Sequence, residues 1–168
     1  MSLTIERIIL PTFTRTLNTL SGMLKKGEAY AEARGIDPAV LVNARLAADM
    51  HPLKRQIQMV TDTVRRVLCQ LAGQEVPSVA DTEETFAELH TRIESTLKFI
   101  NDFDTTALVD SEDKTITLPL GENGLDLDGA TFAMGFGIPN LYFHAATTYN
   151  ILRHNGVELG KIDFLGQP

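Results

Sequence analysis

Only one cysteine, Cys69, occurs among the 168 residues of this chain. A single cysteine excludes an internal disulfide and is typical of proteins from a reducing compartment. Cys69 falls within a helical apolar pattern, which favours a buried packing residue, because a reactive thiol needs an open, electropositive setting. The sequence also lacks a secretion signal and any run of the ~20 apolar residues that span a bilayer. We therefore expect a cytoplasmic protein.

Concentrated basic charge is also missing, and the formal net charge is -7. Nucleic acid and anionic membranes require a basic footprint, so neither is an expected partner. The pairs Lys54-Arg55 and Arg65-Arg66 are spread along one predicted helix and are interpreted as its solvated face. The glycine-rich, zinc-protease, serine-hydrolase and CxxC motifs of the common enzyme classes are absent as well.

The residues that are present fit an ordinary globular chain. The apolar fraction is 43% and the charged fraction 22%, which lies well away from the composition of disordered proteins. A chain of this length can bury one continuous core. We expect a single domain over residues 1–168.

Apolar residues spaced three and four apart predict long amphipathic helices. The first contains Leu10 to Leu24, and Pro11 either kinks it or begins it anew. A short helix is predicted after Asp37. The second long helix follows His51, ends at Gly73, and has the clearest stripe, which is Leu53, Ile57, Val60, Val64, Val67 and Leu71.

A third long helix is predicted from Asp81 to about Phe103, because acidic residues favour a helix N-terminus. The helical period then stops until Ile138, and alternating residues around Gly121-Glu122-Asn123-Gly124 predict a small β-hairpin. This connection is long enough to place the third and fourth helices parallel. The last helix is predicted from Pro139 to Gly156, followed by an irregular tail.

Polar residues interrupt the buried stripe of the last predicted helix. Asn140, His144 and Thr148 share one face, and Tyr149 lies one step round it. Burying such groups without partners is costly. Either His144 is a core histidine with hydrogen-bond partners on a neighbouring helix, or these residues line a ligand pocket between helices.

A second group of interest begins the second long helix. Asp49 and His51 could face the same end of the bundle as His144, and histidines on two helices can bind a metal. The candidate ligand-binding residues are Asn140, His144, Tyr149, Asp49 and Thr148, and the candidate metal ligands are His51 and His144. No catalytic residue is identified from the spacing.

Several strings resemble a bacterial family that is known only as a domain of unknown function. They are Ile36-Asp37-Pro38, Ala44-Arg45-Leu46, Asp49-Met50-x-Pro52-Leu53, Gln56-x-Gln58, Pro139-Asn140-x-Tyr142-Phe143-His144, Leu152-Arg153-His154-Asn155-Gly156-Val157 and Gly160-Lys161-x-Asp163-Phe164-Leu165-Gly166. That family in turn resembles the DinB-like (YfiT-like) superfamily. The resemblance implies an all-α four-helix bundle with a long crossover that carries a hairpin before the last helix.

The resemblance also implies a cofactor, since many DinB-like proteins hold a divalent metal such as Zn or Ni with three histidines. His51 and His144 stand at two of these ligand positions. Asn140 and Thr148 occupy the positions four residues before and after His144, so the ligand set is incomplete. Any metal would activate water or a thiol.

Two hypotheses about function remain open. In the first, a polar pocket between helices binds a small molecule or a divalent metal. In the second, the chain is a non-catalytic binding or stress-associated protein, a homodimer without a metal site, whose polar residues serve folding and helix registration. The sequence leaves open whether the protein is an enzyme.

Overall fold

The computed structural model describes residues 3–119 and 124–166. Four long helices form its framework. They are α1 (Ile5–Arg34), α3 (Leu53–Ala72), α4 (Phe86–Asp102) and α6 (Ile138–His154). The shorter helices are α2 (Pro38–Val42), α5 (Gly129–Thr131) and α7 (Lys161–Leu165). The predicted all-α bundle is confirmed, and no helix of the described residues is long and apolar enough to cross a membrane.

The predicted hairpin lies in the connection between α4 and α6. Strand β1 (Thr115–Leu118) pairs antiparallel with strand β2 (Leu125–Asp128), with Thr115 opposite Asp128 and Leu118 opposite Leu125. Residues 121–123 of the predicted turn lie outside the described residues. Ile116 and Leu118 of β1 are buried, which attaches the hairpin to the helical core.

The apolar stripes pack as the spacing predicts. All six residues of the second stripe, Leu53 to Leu71, are fully buried. Around the bundle α1 packs against α4, α4 against α3, α3 against α6 and α6 against α1. Helix α3 therefore lies diagonally opposite α1, with α4 on one side and α6 on the other.

The directions of the helices differ from the prediction. Thr61 and Arg65 of α3 contact Arg92 and Ser95 of α4 in ascending order, so these two helices are parallel. The 13 residues of 73–85 join them, and an extended chain of that length spans roughly 40 Å, enough to return along the roughly 30 Å of α3.

Helices α4 and α6 are antiparallel instead. A side chain at Gly27, near the end of α1, would meet both Phe86 at the start of α4 and Leu152 near the end of α6. The long connection after α4 does not run the length of the bundle, because part of it forms the hairpin, which folds back on itself. The parallel pair was thus assigned to the wrong connection.

Two helix boundaries also need correction. Helix α1 begins at Ile5 and continues through Pro11, so it does not start anew there. Helix α4 begins only at Phe86, where the Thr85 hydroxyl and the Glu88 carboxylate form a capping box. The acidic residues before it form ion pairs instead of capping a helix, since Asp81 and Glu83 bind arginines and Glu84 binds Lys54.

The lead into α6 is helical where irregular structure was predicted. Helix α5 continues into a π-helical segment, Phe132–Gly137, which joins α6 without a break. Pro139 lacks the N–H that an α-helix would direct at the Gly135 carbonyl, which favours a wider turn here. The tail is also more regular than expected, since α7 packs against α1.

Candidate functional site

His144 occupies the centre of the interface between α3 and α6. Only 7% of its surface is exposed. Its Nδ1 lies 2.8 Å from Oε1 of Gln56 on α3, and Nε2 of the same amide donates to the His51 carbonyl oxygen at 2.9 Å. A neighbouring helix therefore supplies the hydrogen-bond partner that a buried histidine requires.

This pair of hydrogen bonds determines the tautomer of His144. Because the Gln56 amide nitrogen donates to a backbone carbonyl, the Gln56 oxygen faces the ring and accepts a hydrogen bond. Nδ1 must then carry the proton, and Nε2 keeps its lone pair. Burial lowers the pKa of His144, and the nearby positive charges of His51 and Arg55 lower it further. The ring is therefore held neutral, with an unprotonated Nε2.

A cavity of about 180 Å³ adjoins His144, and we call it the His144 cavity. It is lined by residues of α3, of the π-helical segment and of α6. They are Arg55, Met59, Asp62, Thr63, Arg66, Phe136, Asn140 and His144. Its size is below the roughly 300–1,000 Å³ of pockets for drug-sized ligands, so it suits a molecule of few atoms or one end of a larger one.

Asn140 supplies a second acceptor to the His144 cavity. Its Nδ2 donates to the Thr63 hydroxyl at 2.7 Å, and that hydroxyl donates to the Met59 carbonyl. The amide nitrogen is thereby engaged, which leaves the Asn140 carbonyl oxygen as an acceptor. Arg66 is exposed and has no ion pair with a described carboxylate. Acceptors from α6 thus face a cationic donor from α3.

The other residues predicted for the last helix lie away from this cavity. The Thr148 side chain is fully buried, and its hydroxyl donates to the His144 carbonyl within the helix. The Tyr149 hydroxyl donates to the Leu159 carbonyl at 3.4 Å, and its ring contacts Phe164 edge-on. Tyr149 therefore packs against the C-terminal tail, because it lies roughly 140° round the helix from His144.

The residues predicted before α3 contribute a carbonyl group instead of side chains. Asp49 is exposed, and so is His51, whose backbone oxygen joins the hydrogen bonds to Gln56. No three His, Cys, Asp or Glu side chains of the described residues are placed to hold a metal ion. A protein metal site normally needs three such ligands. Since Asn140 and Thr148 are both engaged elsewhere, the residues present do not fit the three-histidine site that the resemblance implies.

Several residues that line the cavity, or that bind His144 beside it, were missed by sequence reasoning. Gln56 stood in a string that resembled the family, but nothing in its spacing marked it as the partner of His144. Arg55, Asp62 and Arg66 were interpreted as solvated or were not singled out. One available signal was the spacing of Arg55, Asp62 and Arg66, at i, i+7 and i+11, which places them on one face of α3.

The side of α3 that faces α4 contains a second polar cluster, centred on Arg92 of α4, and Asp62 belongs both to this cluster and to the wall of the His144 cavity. The Arg92 side chain is 1% exposed, and it contacts Thr61, Asp62, Asp81, Glu83 and the Ala80 carbonyl at 2.6–3.0 Å. Burial raises the pKa of Asp62, although Arg92 opposes this effect. Arg92 therefore holds the 73–85 connection against the parallel helices α3 and α4 through hydrogen bonds and ion pairs.

Cys69 is buried, and burial raises the pKa of its thiol. It therefore lacks the lowered pKa of a reactive cysteine. A groove of about 940 Å³ along α1 and α7 has a larger volume than the His144 cavity, but it includes none of the residues predicted for a site. The buried, oriented imidazole makes the His144 cavity the better candidate.

The chain folds as a four-helix bundle with a hairpin before its last helix. The chain is similar to the crystal structure, at 1.83 Å resolution, of a DinB family member protein from Shewanella denitrificans, with 41% identity and a TM-score of 0.89. The similarity covers 95% of this chain and 90% of the other.

Residues 6–165 match the model of a domain of unknown function, DUF1993. The chain belongs to this DUF1993 family, which lies within the DinB-like superfamily, and the resemblance noted from the sequence is confirmed. No protein with a curated description matches the chain.

Proposed function

We propose that this protein binds a small polar molecule in the His144 cavity, with Nε2 of His144 as the central hydrogen-bond acceptor. The observation that carries the proposal is the chain from the His51 carbonyl through Gln56 to His144, which holds the ring in one tautomer at a cavity wall. Packing alone does not require that a buried imidazole leave one nitrogen unpaired beside a cavity.

The groups around the cavity define the class of ligand. His144 and Asn140 offer acceptors, so the ligand presents a hydroxyl, thiol or amine to α6. Arg66 offers a charged donor, so the other end of the ligand is a carbonyl or an anionic group. A neutral imidazole also accepts a proton from a bound hydroxyl or thiol, which is the chemistry of a general base.

Titration of glycolate, glycine and 2-mercaptoethanol, followed by amide chemical shifts, tests the proposal. At least one compound should shift the resonances of α3 and α6 around the cavity saturably. His144→Ala should remove the shifts, whereas His154→Ala, at the exposed end of the same helix, should preserve them. Binding that survives His144→Ala unchanged contradicts the proposal.

A second function is supported by a different observation. Both His144 to Gln56 and Asn140 to Thr63 are hydrogen bonds between α3 and α6, so these residues also fix how the two helices align. If that is their whole role, the protein is a non-catalytic helical protein. His144→Ala would then lower the free energy of unfolding without altering any ligand binding.

The proposed binding does not involve a metal, because the part of the chain that the structure describes contains no group of three His, Cys, Asp or Glu side chains placed as ligands. Protein purified without a histidine tag should therefore contain Zn, Ni, Mn and Fe well below one ion per chain by mass spectrometry. A stoichiometric metal that His144→Ala removes would overturn this assignment and restore the metal-dependent hypothesis.

A further inference from the structure

Asp62 and Arg66 are neighbours of opposite charge on the wall of the His144 cavity. They stand four residues apart on α3, a spacing that places two side chains about 5–6 Å apart at their bases and normally allows an Asp and an Arg to pair. No ion pair joins them, and Arg66 has none with any other carboxylate of the described residues. The cavity wall therefore presents an unpaired cation beside a carboxylate.

The Asp62 carboxylate is only half engaged. Its Oδ1 accepts from Nη2 of Arg92 at 2.6 Å, whereas its Oδ2 has no hydrogen-bond donor among the described residues. About a third of the side chain, 35%, is exposed. Burial raises the pKa of Asp62, Arg92 opposes this effect, and the negative charge of Asp81 adds to the increase. The ionised carboxylate is thus stabilised less well here than in water, and it has room for a further donor.

Asp62 adds a third acceptor to the two that α6 provides. The Asn140 oxygen and Nε2 of His144 also have no donor among the described residues. An ammonium group carries three N–H donors and a positive charge, whereas a hydroxyl or a thiol carries one donor and no charge. Its hydrogen bond to a carboxylate is also stronger than one between neutral groups. Among the groups that the proposed function allows at this end of the ligand, a protonated amine fits best.

The positive charges on the wall define the other end of the ligand. Arg55 is already bound by Asp81 and Gln58, so Arg66 is the cation that remains for a ligand carboxylate, which a guanidinium binds through short, charge-assisted hydrogen bonds. A monoanion would balance Arg66 but would place a second negative charge beside Asp62. A zwitterion matches both charges. In an α-amino acid a single carbon separates the amine from the carboxylate, which suits two side chains one helical turn apart.

We propose that the His144 cavity selects a small zwitterion of the α-amino acid class, with its carboxylate on Arg66 and its ammonium group on Asp62 and the two acceptors of α6. This inference rests on the proposed function and narrows it from small polar molecules in general to one pattern of charge. Asp62 is then the residue that determines specificity. It also joins the ligand to the structural cluster, because its other oxygen binds Arg92.

Glycine and glycolate test the inference, since they are similar in size and differ by an ammonium group in place of a hydroxyl. Amide chemical shifts give the affinity of the full-length protein for each. The wild type should bind glycine about tenfold or more tightly than glycolate, the usual effect of a charged hydrogen bond. Asp62→Asn keeps an oxygen for Arg92 but loses the charge. Its affinity for glycine should fall by about tenfold, whereas glycolate should bind at least as well as before.

The matched control is Glu83→Gln, which removes the same charge from a carboxylate that also binds Arg92 but does not line the cavity. This variant should keep the preference for glycine. Circular dichroism shows whether each variant folds, and if Asp62→Asn does not, the ratio of the two affinities in the wild type decides the ligand class.

The outcomes separate this inference from the proposed function. Equal affinities for glycine and glycolate in the wild type, both lost in His144→Ala, overturn the selection of a zwitterion and leave the proposed function intact. A preference for glycine that persists in Asp62→Asn also overturns the inference. Binding of 2-mercaptoethanol without binding of glycine has the same meaning. If none of the three compounds binds, both proposals are wrong.

Discussion

The two sides of α3 use polar residues in opposite ways. Toward α4, the Arg92 guanidinium is surrounded by Thr61, Asp62, Asp81 and Glu83, and each of its nitrogens has a partner. Toward α6, neutral groups form two hydrogen bonds between the helices, and the His144 ring keeps one nitrogen free beside a cavity. On the α6 side the Asn140 oxygen and the second His144 nitrogen have no hydrogen-bond donor among the described residues.

This difference separates a structural cluster from a candidate site. A buried charge must be fully paired or the fold loses stability, and Arg92 meets that condition without any outside molecule. His144 is also held by hydrogen bonds, but its Nε2 keeps an unpaired lone pair. We infer that the α4 side stabilises the connection between parallel helices, and that the α6 side is available for recognition.

The largest expected effect comes from breaking the α4 side. Arg92→Met should lower the free energy of unfolding by about 3–5 kcal/mol, because it removes a buried cation that binds the Thr61 hydroxyl, the Ala80 carbonyl and the partly buried carboxylates of Asp62 and Glu83. Urea denaturation followed by circular dichroism measures the change. Lys98→Met, which removes an exposed ion pair with Asp102 on the same helix, should change stability by about 0.5 kcal/mol or less. Similar losses in both variants would contradict the structural role of Arg92.

A smaller effect is expected on the α6 side. Gln56→Met should cost about 1–3 kcal/mol, because the His144 Nδ1 proton and the His51 carbonyl both lose a buried partner. Nitrogen NMR of the imidazole should also show that His144 no longer occupies a single tautomer. Gln70→Met is the matched control on α3, since the Gln70 side-chain oxygen is buried without a partner, and its loss should cost little. A tautomer unaffected by Gln56→Met would remove the physical basis of the proposed site.

The smallest effect concerns pH. Burial, together with His51 and Arg55, lowers the pKa of His144 from its ordinary 6.5. The unfolded chain then takes up a proton at higher pH than the native protein, so this contribution to stability is complete above about pH 6.5 and is lost as the pH falls toward the lowered native value. The readout is the difference in stability between wild type and His144→Gln across this range.

Comparing wild type with His144→Gln cancels the contributions of the other titrating groups. One is His90, whose pKa is also lowered by burial, and another is Asp62, whose pKa is raised and therefore changes stability with the opposite sign. The wild type should lose more stability than His144→Gln as the pH falls below 6.5. His154→Gln, at an exposed position, should follow the wild type. Identical pH profiles for wild type and His144→Gln would contradict a lowered pKa in the native state.

The long helices could be predicted because burial on one side imposes a period that the sequence records directly. The stripe from Leu53 to Leu71 is the clearest example. The ends of the helices could be predicted less well from the sequence. Asp81 has the chemistry of a helix cap, but a buried arginine 11 residues later in the chain competes for it, and only the tertiary structure decides that competition. The direction of α4 likewise depends on which connection runs along the bundle.

The candidate site could be predicted in part, since Asn140 and His144 share a face of one helix and both line the cavity. Their partners on α3 could not be predicted, because periodicity shows which residues share a face but not which other element covers it. Arg65 demonstrates this limit. It belongs to a charged pair that looked solvated, and it is buried because the 73–85 connection folds back over it.

The π-helical segment Phe132–Gly137 fixes which face α6 turns toward α3. Each residue added to or removed from a helix rotates everything beyond it by roughly 100°. Because this segment runs into α6 without a break, deleting one of its residues would turn Asn140 and His144 away from Thr63 and Gln56 on α3.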